Sequence, residues 1–311
     1  MRHQPIEKPL DTYIDGESRL ETYWEHKELQ DSFKKIVKGN LPKGFKVSNN
    51  TIEGIIENFG IRGIQFGNWV TLEDKYNYLA ALQLSMLDLN SVLKFTQPAL
   101  GQGLLALSFG ARGKSSALAH FEPGNFVINT TRYKREDVLL KEMALNKRPV
   151  RVDLSKEWRF VNTGGIGSFA HEYGHFLDYY VSNLIEPVKG ADFLTGPWGS
   201  VSTRKIEYPD KYPLHQLAEN LFQNIIFDEN GKETRYRKMI KTEGSYINMR
   251  QEIFARMFEQ YIFYKLRQLK RSNKFLSKKK YNDWYYLKTS EIKRLVPLID
   301  QLMDEIRKRV N

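Results

Sequence analysis

A chain of 311 residues, 41% hydrophobic and 13% aromatic, can bury a sizeable core, which excludes an intrinsically disordered protein. It has no cysteine, so disulfides and thiolate metal ligands are excluded, and any zinc must be held by histidines and carboxylates. No apolar run approaches the roughly 18–20 residues of a membrane span, and the polar start Met1-Arg2-His3-Gln4-Pro5 carries no apolar secretion core. The net charge of +11 is concentrated in one place. Between Tyr264 and Tyr281 lie Lys265, Arg267, Lys270, Arg271, Lys274, Lys278, Lys279 and Lys280, with no acid among them. Such runs are usually solvated faces, and contact with nucleic acid is the functional alternative.

Residues 1–16 read as an irregular arm. Over 17–37, Leu20, Tyr23, Trp24, Phe33, Ile36 and Val37 recur at near-helical intervals among charges, which predicts an amphipathic helix ended by Gly39, Asn40 and Pro42. A short helix is expected over 51–58. The glycines of Phe59-Gly60-Ile61-Arg62-Gly63-Ile64-Gln65-Phe66-Gly67 predict tight loops, and Thr71 can cap a core helix over 72–95. Residues 104–113 read as a strand leaving through a glycine loop, and 119–129 as a hairpin turning at Pro123-Gly124. The edge of such a sheet can pair with an extended peptide by strand addition. Arg112 and His120 are the polar residues there that could touch a substrate; the plainer roles are a carboxylate pair for Arg112 and a structural hydrogen bond for His120.

The chemistry lies in Ser168-Phe169-Ala170-His171-Glu172-Tyr173-Gly174-His175, where His-Glu-x-x-His predicts a helix that Ser168 can cap. Residues four apart share one helical face, so His171 and His175 can offer two imidazole nitrogens to one tetrahedral zinc ion. Glu172 is rotated by about 100° and falls beside the open position, where it can take a proton from water attacking a carbonyl. A random chain of this length would carry the pattern on the order of one time in a hundred. Residues 181–213 then read as a long loop, a possible lid or cleft rim, followed by a helix over 214–228 and a turn at 228–232.

Two histidines do not complete a zinc site, and His3, His26 and His215 lie far away in sequence. The third ligand expected is Glu252, opening a helix whose apolar stripe is Ile253, Phe254, Met257, Phe258 and Tyr261. Small Ala255 would let the two helices approach. Glu259, on the same side, is roughly 10 Å further along the axis and cannot share one ion with Glu252. Asp178 is expected to accept a hydrogen bond from the second nitrogen of a zinc histidine, with ligation the less favoured alternative. Tyr246 can donate to the oxyanion of a tetrahedral intermediate.

These residues resemble a known family. The runs Phe59–Val70, Phe109-Gly110-Ala111-Arg112-Gly113, Ala119-His120-Phe121-Glu122-Pro123, His171–His175 and Glu252–Glu259, in this order, are similar to the first large polyvalent protein-associated domain. That module of phage and conjugative-element proteins is assigned by motif as a zinc metallopeptidase. The resemblance covers about residues 55–280, and the helical motifs are also similar to the catalytic domain of anthrax lethal factor, a gluzincin. It implies an α+β, zincin-like fold, mostly helical, with a small sheet beside the metal-binding helix. It implies one zinc ion on His171, His175 and Glu252, Glu172 as base, a peptide or protein substrate, and a mobile-element protein in a bacterial cytoplasm. The division expected is an arm and helix over 1–54, the peptidase domain over 55–281 and a C-terminal helix over 282–311. The rival expectation is a non-catalytic, nucleic-acid-associated protein with a structural or vestigial zinc site, binding through the basic run.

Overall fold

The computed structural model describes residues 37–39, 41–68, 70, 72–112, 119–130, 167–242, 244–278, 281 and 284–311. The expected arm, the first amphipathic helix up to Ile36 and the Thr71 cap lie outside them; Val37, the expected last residue of that helix, is in a strand. About half of the described residues are helical and a four-stranded sheet stands beside them, so the fold is α+β.

Helix α1 (Ile52–Phe59) starts where Thr51 Oγ1 accepts from Gly54 N at 2.9 Å. It ends at Gly60, whose φ of 60° is the left-handed cap that glycine adopts without strain. A Cβ there would stand 2.1 Å from the Pro98 carbonyl oxygen, so the crossing requires glycine.

The next stretch differs from the expectation of loops: Gly63–Phe66 is a strand. After β1 (Val37–Lys38), it is β2, paired in parallel with β3 (Ala106–Phe109) and burying Ile64 completely. The glycines mark the entry and exit of this strand, and pairing satisfies the backbone between them. Helix α2 (Leu72–Leu93) is followed by β3 and then by the expected hairpin, β4 (Ala119–Glu122) and β5 (Val127–Thr130), joined by a 3-10 turn at Pro123–Asn125. The sheet order is β2-β3-β5-β4. Its first three strands are parallel, and β4 is an antiparallel edge.

Helix α3 (Phe169–Tyr180) carries the histidines and runs on into a π-helical turn, Val181–Ile185, where loop was expected. Ser168 occupies the N-cap position but makes no side-chain cap bond. A free N–H at this end, that of Ala170, donates instead to Leu276 O at 2.8 Å. Then come α4 (Pro213–Ile226), α5 (Arg235–Ile240), α6 (Ser245–Asn248), α7 (Arg250–Gln268), β6 (Ser272–Asn273), which pairs with β1, and α8 (Thr289–Val310).

Helices α3 and α7 pack closely because a glycine faces an alanine. A Cβ on Gly174 would lie 3.2 Å from Ala255 Cα and from a Phe258 ring carbon. Helix α8 buries Ile292, Leu295, Ile299, Leu302, Met303 and Ile306, each worth about 1.5–3 kcal/mol of transfer free energy. One core therefore runs from Ile52 to Ile306, and the C-terminal helix is part of it. Among the described residues, no helix is long and apolar enough to cross a membrane.

Candidate metal centre

His171 and His175 stand one turn apart on α3, their ring centroids 4.9 Å apart and their planes at 81°. Both turn Nε2 toward Glu252, in the first turn of α7. The distances are 3.5 Å from His171 Nε2 to Glu252 Oε2 and 3.3 Å from His175 Nε2 to Oε1. One donor atom from each of the three lies within 4.8 Å of the others. Bonds of about 2.0–2.1 Å to tetrahedral zinc would set donor atoms about 3.3–3.4 Å apart, so this trio could hold such an ion with little movement. Glu252 Oε2 is buried and makes no hydrogen bond, but Arg256 Nη1 lies 3.6 Å from it, so a bound cation would share this carboxylate with the guanidinium. The His171 and His175 side chains are 16% and 10% exposed, so the pair is not wholly sealed from solvent.

The charges are strongly coupled. Burial opposes a charge on Glu252, but the flanking His175 and His171 outweigh it and hold the carboxyl well below the usual range. Burial likewise pushes the His171 ring down, while Glu252 and Glu259 more than compensate and raise it to about 10. An incoming metal must therefore expel a proton from His171 at any pH below that value. Zinc affinity is expected to rise about tenfold per pH unit between pH 6.5 and 8.5, read by competition with a chelator of known affinity. A pH-independent affinity would contradict this coupling.

Glu172 is buried and lies outside the donor trio. It shares a stripe of α3 with Phe176 and Tyr179, whose rings meet Phe121 and Phe126 of the β4–β5 hairpin at 5.3–6.3 Å. The carboxylate thus faces the gap between the histidines and the edge strand. Burial raises its pKa above the ordinary 4.5, with His171 and His175 opposing and Glu252 adding to the rise. Tyr246, on α6, is 60% exposed, with its hydroxyl near enough to Glu252 to feel that carboxylate. Desolvation of that hydroxyl, with the carboxylates Glu252 and Glu172, keeps it protonated and able to donate.

Asp178 does something other than orient a histidine. It accepts from Thr195 N at 2.9 Å and from Thr195 Oγ1 at 2.8 Å, tying the loop after α3 back onto that helix. The axis carries Asp178 about 4.5 Å beyond His175, where the returning loop offers better donors. The carboxylate beside a second ring nitrogen is that of Glu259, 3.7 Å from His171 Nδ1. The exclusion of Glu259 as a ligand hid this role, although its position seven residues after Glu252 puts both on one face of α7.

Arg112 and His120 both turn to Glu122, at 2.9 and 3.4 Å, so the plainer role expected for each is present. His120 is also close enough to Glu172 to favour its charged form. Buried His215 bonds to Glu186 away from the trio, and His3 and His26 lie outside the described residues.

Part of the basic run is built into the fold. Arg271 pairs with Asp88, Lys265 with Asp300 at 3.0 Å, and Lys278 Nζ lies 4.8 Å from the Tyr286 ring centroid. Phe275 and Leu276 between them are fully buried against the start of α3. Arg267 and Lys270 are exposed, and Lys279 and Lys280 lie outside the described residues.

No curated protein and no solved structure matches the chain. The stretch carrying Tyr246, Glu252 and Glu259 does have a match, which does not extend to the histidine helix: residues 239–310 fit the family model described as large polyvalent protein-associated domain 1.

Proposed function

We propose that this chain is a zinc-dependent peptidase of the gluzincin kind, with a zincin-like arrangement, encoded by a phage or other mobile element and acting in a bacterial cytoplasm. The observation that carries the reading is the convergence of His171, His175 and Glu252 on one point, with Glu172 beside it and outside the donor set. Bound zinc would supply Lewis-acid polarisation of the scissile carbonyl and of the attacking water. The donor set fits, because two imidazoles and one carboxylate leave a fourth position for substrate.

The protein's own groups then have distinct tasks. Edge strand β4, packed against α3 and with no second strand neighbour among the described residues, would offer its backbone to an extended peptide lying across Glu172. Glu172 accepts the proton of the attacking water and passes it to the leaving amine; a carboxyl raised by burial is better matched to that task near neutral pH. Tyr246 donates its hydroxyl to the carbonyl oxygen as negative charge grows there.

The test is metal quantification joined to a broad peptide library. Purified protein is expected to hold one zinc ion per chain and to cleave, while His171→Ala and Glu252→Ala lose the metal and the cleavage together. Zinc-replete protein that cuts no peptide, yet binds DNA in a salt-sensitive way, would favour the second reading. That reading is a nucleic-acid-associated protein with a non-catalytic zinc site, and the exposed Arg267 and Lys270 support it.

A further inference from the structure

We infer that Glu259 is a positioning residue for His171, held in place by Tyr281 and Tyr286, and that this clamp sets the affinity and geometry of the metal site. The inference rests on the metal-centre reading above. Glu259 is 1% exposed. A buried carboxylate is costly unless hydrogen bonds and a cation compensate it. Tyr281 donates to its Oε1 at 2.8 Å, Tyr286 to its Oε2 at 3.3 Å, and the Lys278 N–H lies 3.5 Å from Oε1. Among the described residues, the basic side chain paired with it is His171, through Nδ1 at 3.7 Å.

The two carboxylates of α7 thus grip opposite nitrogens of one ring, Glu252 at Nε2 and Glu259 at Nδ1. Two helical turns separate them, roughly 10 Å, and the imidazole bridges the interval. With its proton on Nδ1 directed at Glu259, the ring presents the Nε2 lone pair to the pocket, which is the tautomer a metal needs. The tyrosines come from the segment after α7 that also closes the start of α3 through Leu276 O. The same segment therefore supports the ring and the helix that bears it.

The experiment compares zinc affinity by chelator competition, and the visible spectrum of the cobalt(II)-substituted protein, for the parent, Glu259→Gln and Tyr281→Phe. Glu259→Gln keeps the size and an oxygen for the tyrosines but removes the charge. Its zinc affinity is expected to fall about 10- to 100-fold with a shifted cobalt spectrum, while the melting temperature of the metal-free protein stays near that of the parent. Tyr281→Phe leaves the charge and is expected to lower affinity less, in the same direction, which keeps a test available if the glutamine variant does not fold. Parental affinity and an unshifted spectrum in both variants would overturn the clamp while leaving the peptidase reading intact. A parent that binds no zinc would overturn both.

Discussion

Glu172→Gln is expected to leave one zinc ion per chain and to lower kcat/KM for peptide cleavage by about 10²- to 10⁴-fold, the range that a positioned general base supplies. The separation of binding from chemistry follows from α3. His171 and His175 point their Nε2 atoms at Glu252, whereas Glu172 is turned out of that trio toward the β4–β5 hairpin. Glutamine keeps the shape and the burial but cannot accept a proton. Equilibrium dialysis against zinc and a cleavage assay on the same preparation read the two halves. Loss of the metal in this variant would mean that Glu172 ligates, and full activity would mean that the proton goes elsewhere. In the parent, the acid limb of kcat/KM should lie above the ordinary glutamate value of 4.5, because burial raises this carboxyl and activity needs it ionised.

The second large effect is on stability. Arg250 opens α7 and is 1% exposed, paired with Glu219, itself 2% exposed. Its guanidinium also donates to Thr195 O and, at 2.7 Å, to Ser202 O, and it stacks 3.7 Å from the Phe222 ring centroid. One side chain thereby joins α7, α4 and two points of the loop that follows α3. Thr195 passes the connection on to Asp178 at the end of the histidine helix. Arg250→Met is expected to cost about 3–5 kcal/mol in urea unfolding, since it leaves Glu219 buried without its partner. Adding Glu219→Leu should recover part of that loss by removing the stranded charge, although the carbonyls of Thr195 and Ser202 remain short of a donor and Arg204 N loses its acceptor. A loss under about 1 kcal/mol in the single variant would show that water replaces the guanidinium and that the loop is held by other contacts. Because Glu252 lies two residues after Arg250, the single variant should also bind zinc more weakly.

The loop between α3 and α4 is accordingly a poor candidate for a wide-swinging lid. Besides Arg250, it is held by Trp198 N on Asp192 at 2.9 Å, Arg204 N on Glu219 at 2.8 Å, and Glu186 accepting from the first N–H groups of α4. Its length suggested a lid or a cleft rim, and these polar contacts, buried at Glu186 and exposed at Asp192, give it a defined path.

What the sequence determined by itself was local. The four-residue spacing of His171 and His175 places both on one helical face whatever else the chain does, and it turns Glu172 aside. Pro123-Gly124 marked a real turn, and the helices expected from Thr51 and Leu214 start within one residue of those positions, because capping and turn chemistry act over three or four residues. Glu252 could be selected 81 positions downstream of His171, because an acid at the start of an apolar-striped helix stood out there.

Only the tertiary structure decided which polar groups meet across elements. Asp178 went to Thr195 rather than to an imidazole, and Glu259 took the place assigned to Asp178, supported by Tyr281 at the end of a segment read as a basic surface and by Tyr286 beyond it. Strand β2 was hidden by its glycines because its stability comes from pairing with β3, not from its own residues. Helical periodicity is a property of one segment. A hydrogen bond between segments depends on how their packed faces come together, here on Gly174 against Ala255, and no spacing within either segment encodes that distance.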